Sequence, residues 1–377
     1  MSKILVLVSP DGVAMMREVY ELVLALRERH DVLVLASGPE RERYERAGIA
    51  YKSFRPASIY GMATSISRLR KTVTSFEPDI IHAHGFPSVA VALGTVPARL
   101  AARTIATFHD PQRDRELPQK LVERKLPGYL LRAGALTVVY PTLVERLRDR
   151  GLIERADEPH MIPHGVPVDL TDVPLARPPA RTGPIVGWNG RLAADRSWET
   201  AIDGFALVRE TFPDARLEIA GTGRARQFIA AYVREKNLGA SVTFRGEISP
   251  RELFATIDLL VVPKSRDAMP HAPLEALVAG VPIVASNAGA LVDVLGDQDG
   301  AWLVPDDGEG FRDGILDAWS RIDAAWNAAA AGRDAARARY AREVVAARYE
   351  SLYESVANAL AKNAAVSAQA ASVTAGT

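Results

Sequence analysis

Residues 265–286, SRDAMPHAPLEALVAGVPIVAS, place two carboxylates, Asp267 and Glu275, at the two ends of a short stretch that runs straight into an apolar segment. An ionised carboxylate accepts two hydroxyl hydrogens at once, so a pair on opposite walls of one pocket grips a polyol, whereas the same pair on a surface is merely solvated. Other reactive types stand at the ends of apolar runs. TIATFHD closes on His109 and Asp110, DIIHAHG carries His82 and His84, and LEIAGTGR ends in Gly221, Thr222 and Gly223. PIVGWNGRL stops at Asn189 and Gly190 and continues into Arg191, with Arg196 soon after. Guanidinium groups at a strand-to-helix transition suit a phosphate or diphosphate. Paired with Asp195 or Glu199 they are an ordinary solvated helix start. Cations for a diphosphate and carboxylates for hydroxyls together describe a site for a nucleotide sugar. Each signal alone is weak, because strand-end histidines and Gly-x-Gly turns are common structural devices. Their joint position at strand ends carries more weight.

Several chemistries are excluded or disfavoured. There is no cysteine, hence no disulfide, thiolate metal site or cysteine nucleophile. GTGRARQ is not G-x-G-x-x-G, no acidic residue marks the next strand, and neither a Walker A sequence nor a G-x-S-x-G elbow occurs. HAH (82–84) has no further Cys or His cluster beside it in sequence, so no metal is expected.

The elements that must position these groups read as a repeating strand–helix rhythm. Strands are expected at KILVLV, DVLVLA, DIIHAH, TIATFH, LTVVY and HMIPHG in the first half, and at PIVGWNG, ARLEIAG, VTFRG, LLVVP, PIVAS and AWLVP in the second. Between them lie amphipathic stretches such as AMMREVYELVLALRERH, where Val19, Leu22, Val23 and Leu26 share one face. Val/Ile/Leu-rich strands alternating with helices mean parallel sheets covered on both faces. Residues 165–184, with five prolines and no periodicity, read as a linker. Two successive doubly wound α/β units are therefore expected, with ligands outside the carboxyl ends of their strands and a cleft between two facing sheets. Residues 311–362 read as helices, and AAVSAQAASVTAGT as a disordered tail.

At 377 residues the chain accommodates two domains, and its 48% hydrophobic content suffices for their cores. Formal net charge is zero, which gives no reason to expect nucleic acid. Residues 1–165 hold 24 Lys+Arg against 19 Asp+Glu, and the remainder 22 against 27. The mild basic excess suits an anionic partner or is ordinary surface variation. The first apolar run is too short for a signal peptide and none approaches a membrane span, so a cytoplasmic protein is expected. The stretch 109–133, HDPQRDRELPQKLVERKLPGYLLRA, serves either as contact to the inner face of a membrane or, more commonly for such a composition, as the polar face of a helix.

GWNGRLAADRSWETAIDGFALV, ARLEIAGTGR, VTFRGEISPRELFATIDLLVVPKSRDAMPHAPLEALVAGVPIVAS and MIPHGV, in that combination, resemble the retaining glycosyltransferases of the GT-B fold that carry the E-x7-E signature, family 4. The resemblance is dense over the second half and looser over the first. It implies two Rossmann-like domains, 1–167 for the acceptor and 185–340 for the donor, joined by 168–184, with a helix over 341–362 packing back on the first domain and a tail over 363–377. It implies a nucleoside diphosphate-sugar as donor, no cofactor or metal, and an acceptor that is a glycan, a lipid-linked sugar or a small molecule. By position, Arg191 and Arg196 match the pair on the donor diphosphate, Glu275 the acid on the ribose, Asp267 the acid on the transferred sugar, and His109 the histidine at the reaction centre. Gly12, His164, Gly190, Gly246, Ala268, Met269 and Leu274 complete the implied donor set.

The sequence departs from the family pattern in several places. The first acid is Asp267, one methylene shorter, and the next residue is Ala268 where Gly is usual. Arg196 replaces Lys, His164 replaces Asn, and SPDGV leaves Gly12 where the family has Gly-Gly. These departures keep two other readings open: a nucleotide-sugar-binding partner of another transferase with little turnover, and a nucleotide-sugar epimerase on the same architecture.

Overall fold

The computed structural model describes residues 1–9, 13–36, 41–56, 59–109, 117–156, 158–170, 175–193, 197–264 and 271–374. The chain divides into two units, one of Met1–Gly165 with Glu343–Thr377, the other of Val166–Arg342. In the first, strands β1 (Lys3–Val8), β2 (Asp31–Ala36), β3 (Ala50–Ser53), β4 (Ile80–His84), β5 (Thr104–Phe108), β6 (Ala135–Val138) and β7 (His160–Met161) form one sheet. They are joined by helices α1 (Val13–Leu26), α2 (Arg41–Arg46), α3 (Ile59–Phe76), α4 (Phe86–Thr95), α5 (Ala98–Ala101), α6 (Leu117–Leu130) and α7 (Thr142–Asp149). The strand order is β3-β2-β1-β4-β5-β6-β7, and every pairing is parallel.

The residues dictate this sheet directly. Ile4, Val6 and Val8 point to one face of β1 and pack with Val19, Leu22, Val23 and Leu26 of α1. Leu5 and Leu7 point to the other face and are equally buried. That double burial is why the strand reads as an unbroken apolar run rather than an alternating one. Register carries the first face across the sheet: Val6 lies opposite His82, Val8 opposite His84, His84 opposite Thr107, and Thr107 opposite Thr137. One row at the carboxyl end of the sheet is thus apolar on β1 and polar on β4, β5 and β6.

The second unit contains β8 (Ile185–Asn189), β9 (Arg216–Ala220), β10 (Val242–Gly246), β11 (Leu259–Val262), β12 (Ile283–Ser286) and β13 (Ala301–Val304). Its helices are α8 (Trp198–Thr211), α9 (Arg226–Glu235), α10 (Pro250–Phe254), α11 (His271–Ala279), α12 (Ala290–Leu295), α13 (Gly308–Ser320) and α14 (Ile322–Tyr340). The order β10-β9-β8-β11-β12-β13 repeats that of the first six strands, again all parallel. Trp188, Ile202, Phe205, Ile219, Phe311 and Ile315 fill its core.

Of the residues read as a linker, those from Val166 on cluster with the second unit. The Val166 N–H donates to the Tyr340 carbonyl at 2.8 Å, the Arg342 N–H donates back to the Val166 carbonyl at 3.2 Å, and Arg177 is ion-paired with Asp323. After Arg342 the chain returns to the first unit as α15 (Arg342–Thr374), whose Val345, Tyr349, Leu352, Tyr353 and Val356 join the core on α1 and β1. The helix runs past residue 362, where sequence reading ends it and begins a disordered tail. The extension is rich in alanine and free of proline and glycine up to Thr374, so nothing local stops it.

Candidate active site

In open α/β sheets the strand order reverses direction at one point, and the crevice outside the carboxyl ends there is where ligands bind. In the second unit that point lies between β8 and β11. Glu275 sits on α11, a helix buried throughout and ended by a Schellman motif. The Val281 N–H reaches the Ala276 carbonyl at 2.9 Å, the Gly280 N–H reaches Leu277 at 3.2 Å, and Gly280 takes φ 75°. With both flanks fixed, Glu275 is fully buried, and its Oε2 accepts a hydrogen bond from Asn189 Nδ2, the last residue of β8, at 3.1 Å. A buried carboxylate tied by one oxygen to a strand end is pre-oriented rather than solvated.

Gly190 and half-buried Arg191 follow Asn189, and the backbone holds their loop in place. The Gly190 N–H donates to Ala220, the Leu192 N–H to Thr222 and the Ala225 N–H to Leu192, at 3.1, 2.9 and 3.0 Å. Gly221 has φ 123°, and a Cβ there would collide with the Gly190 carbonyl. Its N–H donates to Gly246, the last residue of β10, at 2.6 Å. The Gly-Thr-Gly turn therefore braces the Arg191 loop by backbone packing. On the other side of the switch point, the backbone of Lys264 is held twice. Its N–H donates to Ser286 Oγ at 2.8 Å and its carbonyl accepts from the Ser197 N–H at 2.9 Å. Ser286 Oγ in turn donates to Asp306 Oδ1 at 2.6 Å.

The corresponding point of the first unit, beside β4, is chemically different. His84 Nδ1 and His109 Nε2 share a hydrogen bond of 3.0 Å, and His109 Nδ1 and His164 Nε2 one of 3.1 Å. The His82 ring packs against that of His84, tilted by 36° with centroids 4.0 Å apart. Its Nδ1 meets the Tyr353 hydroxyl at 2.6 Å and its Nε2 meets Thr107 Oγ1 at 2.7 Å. Burial lowers the pKa of His82 to about 3, with a further lowering from His109, and burial lowers that of His164 to about 3. Burial, then His82 and His164, push His84 well below the imidazole range. Glu18 of α1 accepts from the Gly165 N–H at 3.0 Å. Burial raises its pKa well above the carboxylate range against that bond, and Glu21 raises it further.

His109 and His164 are thus brought together within the first unit. Glu275, Leu274, Gly190 and Arg191 gather at the β8/β11 switch point of the second, with Gly246 bracing it. Gly12, Arg196, Asp267, Ala268 and Met269 lie outside the described residues. Sequence reading missed Asn189 as the partner of Glu275, Glu18 beside Gly165, and the Ser286–Asp306 pair. For Asn189 the signal was present, since the sequence reading already ends a strand at Asn189 and Gly190 just before Arg191.

Each unit is a parallel α/β sheet with its own strand-order switch point, and comparison with known proteins gives the family. Residues 177–333 match the glycosyl transferases group 1 and residues 16–170 match Glycosyltransferase Family 4. The chain belongs to these glycosyltransferases. It is 28% identical over 317 residues, 78% of this chain and 71% of the other, to a glycogen synthase of Mycobacterium tuberculosis. It is 29% identical to a 2-deoxystreptamine glucosyltransferase of Streptomyces kanamyceticus, and that match covers only 31% of either chain. A crystal structure of HepE from Anabaena in complex with UDP and glucose superposes with a TM-score of 0.76, covering 94% of this chain and 100% of that one at 18% identity. Among the described residues no helix is long and apolar enough to cross a membrane.

Proposed function

We propose that the chain moves a sugar, with retention at its anomeric carbon and without a metal ion, from a nucleoside diphosphate-sugar to an acceptor hydroxyl. The observation that carries this reading is the buried Glu275 tied to Asn189 at the β8/β11 switch point, with Arg191 just beyond. One carboxylate for a ribose and one guanidinium for a diphosphate stand at the place where this topology binds nucleotides. The UDP in HepE agrees with that use of the fold.

In this scheme Arg191 and Arg196 stabilise the departing diphosphate as the bond from its oxygen to the anomeric carbon breaks. The acceptor oxygen bonds to that carbon from the same face, and its proton passes to the leaving phosphate oxygen. Asp267 and His109 hold the transferred sugar. Calorimetry with a panel of nucleoside diphosphates, followed by transfer assays with the matching donors and added chelator, tests the proposal. Tight binding of one nucleoside diphosphate and chelator-resistant transfer are expected. No binding across the panel, or a strict metal requirement, sinks it.

A further inference from the structure

The polar row of the first sheet has a cost that packing does not explain. The same layer on β1 is Val6 and Val8, so an apolar row on β4 and β5 would suit this core. Instead His82, His84, Thr107 and Thr137 are buried there, with Tyr353 and Tyr349 of α15 above them. A buried hydrogen bond contributes only about 1 kcal/mol net, and a buried polar atom left unpaired costs more than that. His84 Nε2 is such an atom, since it is buried and has no hydrogen-bond partner among the described residues. A network that stabilises this little, and is not fully satisfied, is better explained by what it orients.

What it orients is His109. From α15 the chain runs from the Tyr353 hydroxyl to His82 Nδ1, from the His82 ring by tilted ring contact to His84, and from His84 Nδ1 to His109 Nε2. His164 holds the other ring nitrogen of His109. With both nitrogens bonded to imidazoles, the ring can neither flip nor turn without breaking two contacts, and what it presents to a sugar is its carbon edge and face rather than an N–H.

We propose that Tyr353, together with His82, His84 and His164, positions His109 for transfer, so that the C-terminal helix sets the geometry of a group at the reaction centre. The inference rests on the reading of His109 as a contact of the transferred sugar. Tyr353 acts on His109 through two other rings, His82 and His84, so it is a positioning residue and not a catalytic one.

Tyr353→Phe in the full chain removes one hydroxyl and keeps the ring packing. With histidine labelled in ¹⁵N and the His109 signals assigned by their loss in His109→Asn, the variant should shift the His109 ring resonances. Turnover should fall about 3- to 10-fold while nucleoside diphosphate affinity stays within about twofold, since that ligand is bound by the other unit. His164→Asn keeps an amide N–H facing His109 and should lose less turnover than His164→Ala, which gives a second measure should Tyr353→Phe fold poorly. His109 resonances that superimpose on those of the wild type overturn the proposal. So does a loss of turnover that merely follows the loss of folded protein. If the wild type transfers no sugar from any donor, the functional reading fails by itself. The His109 spectra of Tyr353→Phe still decide the positioning claim: shifted signals support it and unchanged signals refute it.

Discussion

The two sheets share a strand order and differ in what they present at the switch point. Beside β4 the first unit offers imidazoles and hydroxyls, buried and bonded to one another, with His82, His84 and His164 held neutral by burial. Between β8 and β11 the second unit offers charge, with Glu275 anchored by Asn189 and Arg191 at the start of the following loop. A common backbone scheme therefore makes two crevices of different electrostatic character, one neutral and one charged. Under the proposed function the charged one would take the diphosphate and ribose, and the neutral one would serve an uncharged sugar or acceptor hydroxyl.

The contrast is sharpest in acid, and the largest effect is expected there. A histidine whose folded pKa lies below the ordinary 6.5 leaves the folded state unprotonated while the unfolded chain takes up protons. Its contribution is fully present above about pH 6.5 and is lost as pH falls toward about 3, where folded His82 and His164 titrate. Each such group takes up a proton in the unfolded chain that the folded chain refuses, so His82, His84 and His164 all act in the same direction as pH falls. Glu18, with its raised pKa, works in the opposite sense but is one group against three. In the second unit Asp258 is raised by burial against the Ile185 N–H and two arginines, so acid does not penalise it. Hydrogen exchange at pH 7, 6 and 5, corrected for intrinsic rates, should show protection falling in β4 and β5 well before β8 and β11. Parallel loss in both sheets would remove the distinction.

The second-largest effects fall on the charged crevice. Arg191→Ala should lower turnover by about 10²-fold, the usual consequence of deleting one group that stabilises a leaving charge. Glu275→Gln keeps the shape but weakens hydrogen bonds to ribose, and should raise the dissociation constants of nucleoside diphosphate and whole donor alike by about 10-fold. Wild-type rates in Arg191→Ala, measured at saturating donor, would take that residue out of the site. If Glu275→Gln weakened the donor but not the bare nucleoside diphosphate, Glu275 would be reading the sugar instead.

Much of this was legible in the sequence because burial on both faces writes a strand as a continuous apolar run, as in KILVLV and LLVV. β3, AYKS, was not, because it is an edge strand whose residues are half-buried or exposed and leave no such run. Glu275 stands out in the sequence by its spacing to Asp267, which lies outside the described residues. Its partner was not, because Asn189 lies 86 positions away and only the adjacency of β8 and β11 brings them together. The histidines were visible one by one in HAH, TFH and IPHG. Their union depends on strand register, and that of His82 with Tyr353 on a helix 271 positions later. Short-range pattern records which face a residue occupies; it does not record which distant residue meets it there.

The smallest expected effect concerns how the charged crevice keeps its width. Asp306, Ser286, the Lys264 backbone and the Ser197 N–H form one hydrogen-bonded line from the β13 end to the start of α8. That line joins the segment after β11 to the segment after β8, the two sides of the switch point. Ser286 is fully buried, so its hydroxyl has no water to replace Asp306 or Lys264. Ser286→Ala leaves the Lys264 N–H with only its long 3.4 Å approach to Asp306 and removes the hydroxyl's own bond to that carboxylate. The loss should be about 1 kcal/mol, divided between folding and ligand binding. If the line only supports the fold, the melting temperature drops and nucleoside diphosphate affinity does not. If it sets the spacing of the two loops, affinity falls about threefold, and Ser286→Thr, which keeps the hydroxyl, restores it. Calorimetry at a temperature where both variants are fully folded separates the two, and an unchanged affinity in Ser286→Ala would confine the line to stability.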